Sequence, residues 1–266
     1  MQKGNRKIGL PVILVLALIF AVALVWIIGL LFGLRYTTLE SGAKFLGRIK
    51  DGAPIEGTVY LKDDLSAQWD AETATLRYSN GDVYTGEVKD LVPHGTGKMV
   101  YAGGDLYDGT WQEGVQHGTG TFVYVSGDTY FGELQNGRRH GHGVYTCADG
   151  SSYTGYFADN MKNGTGTYVA ASGERYEGSF TDDLPNGRGV LNFANGDTYN
   201  GAFVMGVREG EGTYTWAGGD TYTGAFSNNK LNGHGVYVWA SENGGEGRRY
   251  EGYFKDGVIE LHSSAS

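Results

Sequence analysis

The chain is 266 residues long and carries 30 acidic against 21 basic side chains, a formal net charge of −9. An acidic balance of this size argues against nucleic-acid binding, which needs a basic footprint. Glycine (46) and tyrosine (19) are abundant and proline (4) is scarce; a glycine excess with periodic aromatic residues indicates an ordered repeat, not collagen or a disordered tract.

Residues 1–9 contain Lys3, Arg6 and Lys7 and no acidic residue. Residues 10–34 are almost wholly apolar, with Pro11 in the first turn, where a helix tolerates it. About 25 residues at roughly 1.5 Å each span some 37 Å, enough to cross a hydrocarbon core of about 30 Å with some tilt. Phe32-Gly33-Leu34-Arg35-Tyr36-Thr37 offers no small-x-small cleavage site, so the segment reads as an uncleaved signal-anchor, a transmembrane α-helix. Lys3, Arg6 and Lys7 favour a cytoplasmic amino end and an extracytoplasmic remainder, although Arg35, Lys44, Arg48 and Lys50 dilute the asymmetry. The expected location is a cell membrane, crossed once. Gly29 and Gly33 form a small-x3-small pair that would let two such helices approach, a route to a homo-oligomer.

Residues 35–83 read as a connector plus a degenerate repeat unit, with Phe45-Leu46-Gly47, Gly52, Gly57 and Tyr60. From Tyr84 a 23-residue unit recurs. Its units start at Tyr84, Tyr107, Tyr130, Tyr153, Tyr176, Tyr199 and Tyr222; an eighth, partial unit starts at Tyr250 after an insertion in 241–249. A fixed period of this size marks an array of small stacked units. The array covers 84–257, and 258–266 is a short tail.

Within a unit, Tyr107, Gly109 and Trp111 alternate with polar residues, as do Gly118, Gly120, Phe122 and Tyr124. Period two means strands, each with an aromatic-plus-glycine face and a Thr/Val/charged face. Asn-Gly, Asp-Gly and Gly-Gly pairs between units predict tight two-residue hairpins there. Longer loops, such as 89–94 and 226–232, are expected inside the units. The strand glycines are expected to leave slots for neighbouring rings. They are Gly86, Gly95 and Gly97; Gly109, Gly118 and Gly120; Gly132, Gly141 and Gly143; Gly155, Gly164 and Gly166. They continue with Gly178, Gly187 and Gly189; Gly201, Gly210 and Gly212; Gly224, Gly233 and Gly235; and Gly252. The predicted fold is all-β, an elongated single-layer antiparallel meander of hairpin repeats behind one transmembrane helix.

The pattern Tyr-x-Gly-x-(Phe/Trp)-x5-(His/Asn)-Gly-x-Gly, followed by an aromatic residue and a Gly-Asp turn, resembles the MORN repeat. Val88 and Leu134 replace the second aromatic, and Met99 and Leu191 a later one. The resemblance implies an extended sheet serving as a scaffold or docking surface, and fold-level likeness sets a class only. Some members of the family are linked to acidic phospholipids. Here the only paired bases are Arg138-Arg139 and Arg248-Arg249, which argues against anionic-lipid binding by the repeats.

Sharper constellations resolve into blander ones. His94, His117 and His140 recur about 10 Å apart by strand spacing, too far to share a metal, and read as turn residues like Asn163, Asn186 and Asn232. His140 and His142 fall on one strand face near the lone Cys147 without a carboxylate at defined spacing. The column Asp105, Asp128, Glu174, Asp197 and Asp220 suggests calcium, but Asp after a turn glycine serves local hydrogen bonds. No catalytic, cofactor or metal motif is found. The leading expectation is a membrane-anchored, non-enzymatic scaffold docking another protein along its sheet. The alternative is a glycan or small-ligand module using exposed aromatic rows, distinguished by whether Trp111, Trp216 and Trp239 are packed or exposed.

Overall fold

A computed structural model describes residues 10–241 and 247–260, the side chains of 10–13 and 16 excepted. Lys3, Arg6 and Lys7, most of the insertion and the end of the tail lie outside the described residues. The chain divides into two compact units, ending and beginning at Ala102 and Gly103.

The first unit holds helix α1 (Leu10–Leu31), then β1 (Leu34–Thr38), β2 (Lys44–Lys50), β3 (Ala53–Tyr60), β4 (Ser66–Asp70), β5 (Thr75–Tyr78), β6 (Val83–Lys89) and β7 (Val92–Val100). Each strand pairs antiparallel with the next. Apolar side chains such as Leu14, Leu18, Phe20 and Val25 are exposed around α1. Among the described residues no helix is long and apolar enough to cross a membrane. The helix ends at Leu31, and Gly33, at φ +76°, turns the chain into β1. Gly29 therefore lies within α1 and Gly33 just past its end, so the two do not share one continuous helical face.

The stretch expected to be a connector plus a degenerate repeat holds five paired strands. Its β2–β3 hairpin carries the repeat's design: Phe45 is fully buried, Gly47 lies opposite Gly57, and a Cβ on Gly47 would meet the Phe45 ring. Trp69 fills the next hairpin and donates its indole N–H to the Pro54 carbonyl.

The second unit begins with β8 (Leu106–Gln112), β9 (Val115–Val123), β10 (Thr129–Gln135), β11 (Arg138–Thr146), β12 (Ser152–Ala158), β13 (Met161–Val169) and β14 (Arg175–Thr181). It continues with β15 (Leu184–Asn192), β16 (Thr198–Val204), β17 (Val207–Thr215), β18 (Thr221–Ser227), β19 (Lys230–Val238), β20 (Arg249–Lys255) and β21 (Val258–Ile259). Again every strand pairs antiparallel with its successor.

The two kinds of connection are exchanged relative to the sequence expectation. Inside each repeat the link is a two-residue turn with both φ angles positive: Asp90-Leu91, Asn136-Gly137, Asp159-Asn160, Asp182-Asp183 and Asn228-Asn229. This is the hairpin turn whose twist suits paired strands, and Asp and Asn tolerate the left-handed region. Between repeats the loop is longer, with a turn closed by Gly127 N–H to Tyr124 C=O and Tyr124 N–H to Asp128 C=O, both 2.9 Å. Its glycine, at φ +93° in Gly127, is the left-handed residue of a three-residue hairpin loop.

The glycines also divide. Gly109 and Gly120 face each other across β8 and β9, and a Cβ on Gly120 would lie 2.4 Å from the Tyr107 ring. The same holds for Gly86/Gly97, Gly132/Gly143, Gly155/Gly166, Gly178/Gly189, Gly201/Gly212 and Gly224/Gly235. On these bare pairs the tyrosines that start each unit lie almost fully buried. The other glycine does not make a slot. Gly118, at φ +68°, sits in a bulge of β9, where the register shifts between Gly109 and Trp111. Gly95, Gly141, Gly164, Gly187, Gly210 and Gly233 share its positive φ. The bulge leaves a strand carbonyl without its ladder partner, and the buried tyrosine supplies one. Tyr130 Oη donates to Glu133 O at 2.7 Å, and Tyr153, Tyr176, Tyr199 and Tyr222 repeat the bond at 2.9–3.0 Å. Tyrosine rather than phenylalanine recurs because the hydroxyl has this acceptor.

The core is a zipper. Tyr153 meets Phe157 and Phe180 edge-on at 5.1 Å, Tyr176 meets Phe180 and Phe203 at 5.0 Å, and the alternation runs on through Tyr199, Phe226, Tyr222, Phe254 and Tyr250. Such pairs add about 0.5–1.5 kcal/mol each beyond area burial. Each ring thus ties one repeat to the next within a single sheet. Leu134 and Met99 are buried in place of aromatics, and Val88 is half-buried.

Candidate functional site

Above the zipper, on the same face of the second unit, lies a second aromatic layer that is only half-buried. Each repeat contributes the residues 15 and 17 positions after its opening tyrosine, along the second strand and into the loop beyond it. In the last three full repeats these rings form a continuous ladder. Phe193 lies 5.7 Å from Tyr214, Tyr214 4.6 Å from Trp216, Trp216 5.1 Å from Tyr237, and Tyr237 4.8 Å from Trp239. A shorter run joins Phe122, Tyr124 and Tyr145. Cys147 and Ala170 take the ring's place in between. Trp111 belongs to the buried layer at 4% exposure, whereas Trp216 and Trp239 are half-exposed.

Four cations are set among these rings: Arg248 lies 5.5 Å from the Trp239 centroid, and the other three stand nine positions after the opening tyrosines of the third, fourth and sixth repeats. The Arg139 guanidinium lies 4.8 Å from the Tyr145 centroid and 5.5 Å from Phe157. Lys162 lies 5.2 Å from Tyr168, and Arg208 5.2 Å from Tyr214. None of the three joins an ion pair among the described residues; the pairs that exist, such as Arg138–Asp159 and Arg249–Glu251, lie elsewhere. Arg139 and Arg208 are anchored by backbone and guanidinium bonds to Asn160 and Asn229 of the next turn, and Lys162 by its N–H to Asp183. Sequence reasoning passed over Lys162 and Arg208 and took Arg139 only as half of a basic pair, although their shared repeat position was visible.

The acidic column does more than local turn chemistry, which it also performs where Asn195 donates to Asp197 at 3.0 Å. Asp128 accepts the Ala148 N–H at 2.8 Å and the Tyr145 hydroxyl at 2.8 Å, so it clasps the next repeat. Asp197 does the same with Ala217 and Tyr214, and Asp220 with Ala240 and Tyr237; Asp82 and Asp105 hold Ala102 and Val125 through the backbone bond. The Tyr214 hydroxyl, then the Ala217 N–H, hold the Asp197 carboxyl below its ordinary range; for Asp128 and Asp220 the backbone bond leads and the tyrosine comes second. Burial, then the facing carboxylate, pushes Tyr145, Tyr214 and Tyr237 up to about 12. Ser151 and Glu174 occupy the same position and make no such clasp.

The histidines stand at the bulges, inside the second strands and not in connecting turns. His117 O accepts from the Thr110 hydroxyl. The left-handed Gly141 separates His140 from His142, and His142 packs edge-on against Tyr156 at 5.6 Å. That contact belongs to the opposite face, where Phe131 and Tyr156 are exposed.

The family model described as MORN repeat matches seven consecutive segments, 84–106, 107–129, 130–152, 153–175, 176–198, 199–221 and 222–244. No curated protein matches the chain. Among solved structures, the wild-type TCP10 domain of Danio rerio CPAP is 7% identical, covering 72% of this chain and 94% of that one at a TM-score of 0.37. The TCP domain of Drosophila melanogaster SAS-4, solved with a proline-rich motif of Ana2, is 12% identical, covering 84% and 90% at 0.29. Both are too distant to bear on the activity of this chain.

Proposed function

This chain belongs to the MORN repeat family, and from that premise we propose that it is a non-enzymatic docking module, tethered to a membrane by residues 10–34, that receives a protein segment on its aromatic face. The observation that carries the reading is the half-exposed ladder from Phe193 to Trp239, a row of large rings in excess of what the buried zipper needs. Aromatic residues with arginine are the side chains on which protein contacts concentrate. A photo-cross-linking residue placed at Tyr237, or at Phe131 on the opposite face as control, tests it in cells. Polypeptide adducts at 237 and not at 131 are expected; adducts at neither, or only at 131, would sink the reading.

The tether rests on the apolar run and on the exposed apolar side chains around α1. The basic residues ahead of it favour an extracytoplasmic repeat domain, against the dilution by Arg35, Lys44, Arg48 and Lys50. Ser266→Cys in a Cys147→Ser background, probed with an impermeant maleimide on whole cells, checks this; labelling only after lysis overturns it. A second reading, stacking of envelope glycan on the rings, draws on the half-exposure of Trp216 and Trp239. Tryptophan emission during titration with wall polysaccharide separates the two.

A further inference from the structure

We propose that the aromatic face takes a polyproline-II peptide lying across the strands, one helical turn per repeat, with acidic side chains at positions i, i+3 and i+9. This deepens the docking reading above and rests on it.

Three observations point to that occupant. The first is period. Each repeat advances the face by two strands, about 9.6 Å at roughly 4.8 Å per strand. A polyproline-II helix turns once in three residues, about 9.3 Å at roughly 3.1 Å per residue. Over four repeats the mismatch accumulates to only about 1.2 Å. An α-helix, at about 5.4 Å per turn, would drift by about 4.8 Å over the same distance even at two turns per repeat. An extended strand repeats its face about every 6.7 Å and falls out of step at once. A three-residue period therefore offers an equivalent residue to every repeat.

The second is unused donors on an aromatic row. Polyproline-II backbone makes no internal hydrogen bonds, so its carbonyls face outward and are read by aromatic-lined surfaces. Trp69 spends its indole N–H on Pro54. Among the described residues no such bond engages Trp216 or Trp239, whose rings stand half-exposed in the ladder. Their N–H groups are available to carbonyls of a visiting chain.

The third is charge. In a chain of net charge −9, this face keeps the side chains of Arg139, Lys162 and Arg208 out of any ion pair among the described residues, held over rings at one repeat position. The same position is Pro185 in the fifth repeat and Leu231 in the seventh. The order cation, cation, apolar, cation, apolar translates at three residues per repeat into acidic residues at i, i+3 and i+9, with apolar ones at i+6 and i+12.

The test is titration of the full chain in detergent micelles into fluorescein-labelled peptides of that spacing with proline between. Saturable binding is expected, with the reversed spacing (i, i+6, i+9) reporting chain direction. Lysine in place of the acids is expected to weaken binding about tenfold or more. Glycine and serine in place of the prolines, which removes preorganisation, should do likewise. Arg208→Gln and Lys162→Gln should each weaken it roughly fivefold and flatten its salt dependence. Trp216→Phe, which keeps a ring and removes the donor, should weaken it about fivefold. Phe131→Ala on the opposite face should change nothing. Equal binding of the lysine or glycine-serine peptides, or indifference to Arg208→Gln and Trp216→Phe, overturns the proposal, as does competition by polysaccharide alone. If no peptide binds while residue 237 still cross-links to polypeptide, this inference fails and the docking reading stands; with no cross-link either, both fail.

Discussion

The slot account of the glycines makes a quantitative demand on Gly166. An alanine there would place its Cβ 2.4 Å from Tyr153 Oη and 2.6 Å from Cε2 and Cζ. Ordinary contact is about 3.5–4.0 Å, so the ring has to retreat by about 1 Å. It has nowhere to go. Tyr153 is 3% exposed, meets Phe157 and Phe180 edge-on at 5.1 Å, and donates its hydroxyl to Tyr156 O at 3.0 Å. The strands cannot part instead, because Gly155 and Gly166 are directly paired. Displacing the ring forfeits the hydroxyl bond and strands a carbonyl, about 1–3 kcal/mol, and loosens two ring contacts at about 0.5–1.5 kcal/mol each. Gly166→Ala should therefore cost about 2–6 kcal/mol.

Two residues away, Gly164→Ala is a control of different origin. Its Cβ would meet Tyr156 Cβ at an ordinary 3.4 Å, so only the positive φ of +78° is penalised, at about 1–2 kcal/mol. Urea unfolding of both variants, with the slope monitored for lost cooperativity, gives the order. In a Tyr153→Leu background, where no ring fills the slot, Gly166→Ala should cost about 1 kcal/mol or less. Equal costs at the two glycines, or an additive cycle, would refute the reasoning.

Tyr199→Phe, which removes only the hydroxyl bound to Ala202 O at 2.9 Å, should cost about 1–2 kcal/mol by urea unfolding, with the ring contacts to Phe203 and Phe226 kept. Asp220→Ala should speed hydrogen exchange at the Ala240 amide more than at Ala217, whose clasp on Asp197 remains. Stability should also fall at both pH extremes, tracked as urea midpoints. Asp128, Asp197 and Asp220 titrate below their unfolded value of about 3.9, so their contribution is present above pH 4 or so and lost as pH falls through the folded values. Asp197→Asn should flatten that acid limb. Tyr145, Tyr214 and Tyr237, raised to about 12, contribute below the unfolded value of about 10 and lose the contribution as pH rises from there to the folded value.

The fold was legible because its signals repeat. Tyr107, Gly109 and Gly120 recur at one spacing, and alternation assigns them to one face without further information. The turns differ from the expectation because most of the strong local signals, such as Asp149-Gly150, Asn195-Gly196 and Gly218-Gly219, lie in the three-residue loops. The two-residue turns use pairs such as Asp182-Asp183 or Met205-Gly206, which adopt the left-handed backbone but signal a hairpin less strongly than Asn-Gly does. Gly118 and Gly120 look alike in sequence, since a positive φ and a missing Cβ are both answered by glycine. Only the register shift separates them. The clasp from Asp220 to Ala240 was hidden for a different reason. Its partners are 20 residues apart, and a turn preference of Asp explains the same letter equally well.

The candidate surface rests on a division of labour that the register makes visible. Opening tyrosines, paired glycines and the Phe, Trp or Leu after them build the zipper, and substitution there is answered by packing. The ring positions above it vary freely: Tyr124, Cys147, Ala170, Phe193, Trp216 and Trp239 succeed one another at the same place in consecutive repeats. A position needed for the core could not pass from tryptophan to alanine without a cavity worth several kcal/mol. The sheet stands with Ala170 as well as with Trp216, so the size of the later rings is not required by the fold. Large rings half-exposed to solvent without a packing role are poised for contact with something outside the chain. Their clustering in 193–239, beside Arg208, places the strongest part of that contact at the carboxyl-terminal end of the array.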